Sequence, residues 1–211
     1  MNTFAAMFVA LLLLPLAGRA QGTFVNITFD GPPLVPRGVV GGAAEYYEAG
    51  MWFRSVGSDS GFERAGGGIT QFPENGTAYI GAGLSDFVKV TSANGAAFGL
   101  VSVDLAEYST VKYANGPVTV HFIGYHFDGS FVTTQFTTDG FIDGTGPLPD
   151  FQTFYFDSRF TGLQRVEIPH GNNWWLDNLV VAVPEPSFFV LFGLGGLFAA
   201  ARLLHQRRSK R

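Results

Sequence analysis

Residues 118–138 constrain the fold most. Val118, Val120 and Phe122 alternate with Thr119, His121, Ile123 and Tyr125. That is the two-residue period of a strand with one face turned inward. Asp128-Gly129 follows, and Ser130–Thr138 returns. An Asp-Gly pair between two alternating runs predicts a β-hairpin, with both turn residues at positive φ.

The rest of the body reads the same way. Thr23–Asp30 predicts an opening strand, with Phe24, Asn26, Thr28 and Asp30 on one side and Val25, Ile27 and Phe29 on the other. It ends at the turn Asp30-Gly31-Pro32-Pro33. A Pro/Gly loop is expected over 31–45, a strand from Met51 and Phe53, and mostly loop over 55–75. Short strands are expected at 77–80 and 86–90, then longer ones at 97–108, 151–157, 163–168 and 175–183. About eight strands spaced by turns, with no helical period between them, predict an all-β domain, a β-sandwich. The first strand and the closing 176–181 segment are expected to lie close together.

Charge narrows the function. The chain carries −4 overall, but residues 21–183 hold seven Lys and Arg against sixteen Asp and Glu. An acidic body argues against nucleic acid as a partner and leaves neutral glycans and divalent cations open. There is no cysteine, so the domain needs no disulfide and has no thiol nucleophile. The 22 phenylalanines and 28 glycines suit strands joined by turns.

Both ends read as targeting segments. Residues 1–20 predict a cleaved signal peptide: Phe4–Leu14 is a short apolar core, Pro15 and Gly18 break it, and Gly18 and Ala20 are small residues before Gln21. No Lys or Arg precedes that core. At the other end Pro184-Glu185-Pro186 leads into an apolar run, 187–204, rich in Gly and Ala. Eighteen helical residues span about 27 Å, close to a bilayer's hydrocarbon core. Arg202, Arg207, Arg208, Lys210 and Arg211 follow, and they orient this end toward the cytoplasm. The expected organisation is therefore 1–20 leader, 21–183 β-sandwich ectodomain and 184–211 anchor.

Order and spacing in this tail resemble the PEP-CTERM sorting signal. That resemblance implies a bacterial surface-sorting address, read by an exosortase-type membrane peptidase, in hosts that make extracellular polysaccharide. It assigns recognition to Pro184, Glu185 and Pro186. A looser likeness rests on Ile27-Thr28-Phe29-Asp30, the Tyr47, Gly50 and Phe53 spacing, and Leu176-Asp177-Asn178-Leu179. These are similar to jelly-roll ectodomains and jelly-roll carbohydrate-binding modules. In the latter, a closing-strand aspartate implies a structural calcium.

Two sets of side chains are candidates for binding. Asp30 and Asp177 would supply carboxylates to such a calcium if the terminal strands meet; alternatively they serve a turn and a backbone amide. Trp52, Trp174, Trp175 and Tyr125 would form a sugar platform, since aromatic faces suit the C–H faces of pyranose rings; core filling is the alternative. Adjacent tryptophans point to opposite faces of a strand, so at most one of Trp174 and Trp175 is expected in the core. No metal-spaced histidines, nucleophile elbow or phosphate loop occur. Asp104 and Glu107 remain as a carboxylate pair of the glycosidase type. The expectation is an exported, non-enzymatic protein, structural or adhesive in a polysaccharide-rich layer, with glycan binding as the alternative and hydrolysis a distant third.

Overall fold

The computed structural model describes residues 22–57, 61–69, 72–81, 87–109, 116–142, 150–171 and 173–183. The leader, the Pro-Glu-Pro motif, the apolar run and the cationic tip lie outside the described residues. No helix among the described residues is long and apolar enough to cross a membrane.

The described residues form strands and no helix. In chain order the strands are β1 (Thr23–Ile27), β2 (Val40–Ala43), β3 (Glu45–Glu48), β4 (Met51–Val56), β5 (Phe62–Ala65), β6 (Tyr79–Gly81) and β7 (Phe87–Ser92). Then come β8 (Gly99–Glu107), β9 (Thr119–His126), β10 (Phe131–Thr137), β11 (Gln152–Tyr155), β12 (Leu163–Pro169) and β13 (Trp174–Val183). They build two antiparallel sheets. One has six strands in the order β10-β9-β12-β7-β4-β3. The other runs β11-β8-β13-β6-β5-β2, with β1 added on β13. The fold is a β-sandwich.

Alternation explains the packing. In the six-stranded sheet Phe53, Val90, Val166, Phe122 and Val120 face inward. Ile27, Leu100, Val103, Leu105, Leu176, Leu179 and Val181 meet them from the seven-stranded sheet. Interleaving of two apolar faces holds such a domain together, at about 25 cal/mol per Å² removed from water.

The seven-stranded sheet is covered on part of its other face as well. Trp175 is fully buried there among Ala65, Tyr79, Ala106 and Phe151, with Ile69, Phe72 and Tyr108 packed on top. Its ring stacks on Tyr108 at 5.0 Å and 7°, and its Nε1 donates to the Tyr108 carbonyl at 2.8 Å. Trp174 faces the main core and is equally buried. Both tryptophans are therefore interior, against the expectation of at most one, because at this point the sheet has apolar packing on each side.

The hairpins differ in detail from expectation. β9 and β10 do form a hairpin, but with Phe131 opposite Tyr125, one residue away from the register that a two-residue Asp-Gly turn would set. His126 N donates to Ser130 O and Gly129 N to His126 O, so three residues make the loop. Gly129 alone takes positive φ, at 86°, while Asp128 Oδ1 accepts from Ser130 N at 2.9 Å. This is the three-residue hairpin loop with glycine in the left-handed position, so only one turn residue needs that conformation. A tighter hairpin, β3–β4, lies partly in the expected loop. Its two turn residues are Ala49 and Gly50, at φ 47° and 85°. Two further strands, β2 and β5, occupy stretches expected as loop and pair with each other.

Candidate functional site

The closing strand changes partners midway. Trp175 and Leu176 pair with β6, whereas Leu179 through Val183 pair with β1. The handover falls at Asp177-Asn178, where the register with β8 also shifts. Asn178 takes φ 46°, which a short polar side chain tolerates. A partner switch inside a sheet frees backbone groups from the ladder, and here side chains take up one of them and brace the junction. Asn178 N donates to Asp177 Oδ1 at 2.7 Å. Asn178 Nδ2 donates to Asp104 Oδ2 at 2.9 Å, and Asn26 Nδ2 donates to Asn178 Oδ1 at 3.3 Å.

Asp177 is fully buried at this junction. Its Oδ2 accepts from Asn75 Nδ2 at 2.5 Å and lies 2.8 Å from Thr77 Oγ1. Asp30 Oδ1 accepts from the next backbone amide, Ala78 N, at 2.8 Å. The two aspartates thus converge on one segment, 77–78, at the start of β6. Burial pushes Asp177 up to about 7, with the Asp30 charge adding to the rise and the bonds from Asn178, Thr77 and Asn75 opposing it.

A second knot holds the turn after β1. Phe29 is buried at φ 58°, an unusual conformation for a bulky residue. Glu48 fixes it: Oε1 accepts from Thr28 N at 3.2 Å and Thr28 Oγ1 at 3.1 Å, and Oε2 accepts from Phe29 N at 2.9 Å. Tyr46 OH donates to Glu48 Oε2 at 2.8 Å and accepts from Gly31 N at 2.9 Å. The buried Arg64 guanidinium donates to the carbonyls of Phe29, Gly31 and Pro33 at 2.6, 3.1 and 2.6 Å. It also lies 4.2 Å over the Tyr46 ring. Burial lowers the Arg64 pKa and, with Glu48, raises that of Tyr46.

The remaining aromatic candidates lie on the outer face of the six-stranded sheet. The pairings put Phe131 opposite Tyr125, Tyr125 opposite Arg165, Arg165 opposite Thr91, Thr91 opposite Trp52, and Trp52 opposite Tyr47. Directly opposed residues share a face, so these six form one row across all six strands. Arg165 lies 3.7 Å over the Tyr125 ring, and Arg54 lies 4.8 Å over Trp52. Tyr47 and Trp52 rings are 4.9 Å apart. Phe131 and Tyr47 are exposed, while Trp52 and Tyr125 are half-buried.

Of the residues singled out from sequence, Asp30 and Asp177 meet at one junction, Trp52 and Tyr125 share one row, and Trp174 and Trp175 lie inside. Among the described residues, no group of three or more His, Asp or Glu is placed to hold a metal ion. Asp104 and Glu107, three apart on β8, project to opposite faces. Glu48, Tyr46, Arg64, Arg165 and Phe131 were not singled out. Their roles depend on cross-strand register, which spacing along the chain does not reveal.

A β-sandwich of this kind, followed at once by a Pro-Glu-Pro tail, defines a class: a β-domain carried ahead of a sorting segment. Residues 182–208 match the family model described as the PEP-CTERM protein-sorting motif. That motif marks a protein sorted by exosortase, a membrane protein. The comparison with curated proteins finds no match.

Proposed function

We propose that the chain is an exported, non-enzymatic protein of the cell envelope or extracellular matrix, with a structural or adhesive role in a polysaccharide-rich layer. The observation that carries this reading is the sorting motif at 182–208, which begins as β13 ends at Val183. The leader, residues 1–20, directs export. The apolar run 187–204 halts the chain in the membrane with Arg202, Arg207, Arg208, Lys210 and Arg211 inside. The exosortase then acts near Pro184, Glu185 and Pro186. Asp104 and Glu107 point in opposed directions, which leaves that one pair unable to flank a single bond.

The test is to tag the ectodomain, delete residues 184–211 and fractionate cells. Changed location and lost size processing are expected. An unchanged pattern would end the sorting reading.

A second reading, glycan recognition by the ectodomain, is favoured by the aromatic row on the six-stranded sheet. Rings held at fixed angles on a rigid sheet suit the flat C–H faces of sugars.

A further inference from the structure

We propose that the outer face of the six-stranded sheet binds a neutral, linear polysaccharide laid along the row Tyr47, Trp52, Thr91, Arg165, Tyr125 and Phe131; this rests on the glycan-recognition reading and names its site and ligand class.

The row is straight in the sense that matters for a polymer. Each member is the direct cross-strand partner of the next, through β3, β4, β7, β12, β9 and β10. Five inter-strand steps of about 4.8 Å give roughly 24 Å, room for several sugar rings in file. Among the described strands, β3 and β10 are the two edges of this sheet, so the row runs from one edge to the other. An open row takes an internal stretch of a polymer.

The rings are ordered before any ligand arrives. Arg165 is held over Tyr125 by its bond to Glu167, Nε to Oε1 at 2.9 Å. Tyr125 OH donates to Glu167 Oε2 at 3.1 Å, so its plane is fixed from both ends. Trp52 is flanked by Tyr47 and Arg54. Ordering of this kind removes part of the entropy cost of binding.

The surroundings select the occupant. The next row on the same face is Thr133, Ile123, Glu167, Lys89, Arg54 and Glu45, mostly hydrogen-bonding groups beside the line of rings. A protein partner needs a contiguous desolvated apolar centre, and a single file of rings edged by polar groups does not supply one. A glycan, with apolar ring faces and hydroxyls along its edges, matches both rows.

Charge selects within glycans. Arg165 pairs with Glu167 at 2.9 Å and Arg54 lies 3.6 Å from Glu45, so these charges cancel and Lys89 adds one positive charge to the two rows. The body around it holds seven Lys and Arg against sixteen Asp and Glu, a field that repels polyanions.

The test is native affinity electrophoresis of the full chain in mild detergent, through gels containing glucomannan, mixed-linkage β-glucan, hydroxyethylcellulose or alginate. Retardation by at least one of the three neutral polymers is expected, with none by alginate. Trp52→Ala and Tyr125→Ala each weaken it at least tenfold. Tyr47→Ala and Phe131→Ala, at exposed positions that leave the core intact, weaken it severalfold and keep the row testable if Trp52→Ala misfolds. Tyr155→Ala, equally exposed but on the other sheet, changes nothing. Undiminished retardation of the exposed-ring variants and of a folded Tyr125→Ala overturns this site while leaving glycan recognition standing. Retardation by alginate alone overturns the ligand class. Retardation by none of the four ends both readings.

Discussion

The hydroxyl of Thr77 lies 2.8 Å from Oδ2 of the buried Asp177 and 2.8 Å from Oδ1 of Asn75. It has one hydrogen for two acceptors. A proton on Asp177 resolves the conflict, because Asp177 then donates to Thr77 and Thr77 donates to Asn75.

Stability should therefore depend on pH through Asp177. Its folded pKa of about 7 lies above the ordinary 3.8, so between those values the folded chain keeps a proton that the unfolded chain has released. The stability tied to that proton is complete below the unfolded value and is lost as pH rises through about 7. Denaturant melts at pH 5 and pH 8 should show lower stability at pH 8, by on the order of 2–4 kcal/mol. Asp177→Asn should flatten the difference. An unchanged difference in that variant would contradict the assignment.

Glu48 to Phe29 is the contact that holds the turn after β1. In Glu48→Gln an amide donor replaces an oxygen that accepts from Phe29 N and Tyr46 OH. A loss of about 1–3 kcal/mol is expected, since buried donors would face a donor. A denaturation midpoint equal to that of the parent would remove Glu48 from this role.

Ala49 occupies the first position of a two-residue hairpin turn at φ 47°. Asparagine prefers that position, and Gly50 already fits the second. Ala49→Asn should raise stability by about 0.5–1 kcal/mol in urea titration. A destabilised variant would mean that the turn is held in some other way.

These residues mark where reading along the chain succeeds and where it stops. The β9–β10 hairpin was legible because Asp128-Gly129 interrupts two clean alternations. The meeting of β1 and β13 was legible too, and with it the approach of Asp30 to Asp177. The β3–β4 hairpin was partly hidden because alanine, poor at positive φ, stands where asparagine would signal a turn. β2 and β5 were hidden by glycines and charges: Val40–Ala43 has two glycines, and Phe62–Ala65 carries Glu63 and the buried Arg64. The tryptophan pair was misjudged for a physical reason: beside Trp175 an apolar cluster covers the outer face of its sheet, and Ile69, Phe72 and Phe151 reach it from loops far away in the chain. The aromatic row is a property of six-strand register, so only Trp52 and Tyr125 stood out beforehand.

Calcium should not be needed at the junction. Both oxygens of Asp177 and one of Asp30 already face protein donors, and the Arg64 guanidinium engages the carbonyls of the 29–33 turn. A cation would displace bonds already made. Thermal melts in excess calcium and in chelator should agree within about 1 °C. A rise of several degrees in calcium would show binding to the folded state and contradict this.

The sorting reading is tested most directly by the intact mass of the ectodomain recovered from the envelope or medium of an exosortase-bearing bacterial host. A mature chain that starts at Gln21 and ends near Pro184, Glu185 and Pro186 is predicted. A soluble cytosolic protein with both ends intact would contradict it.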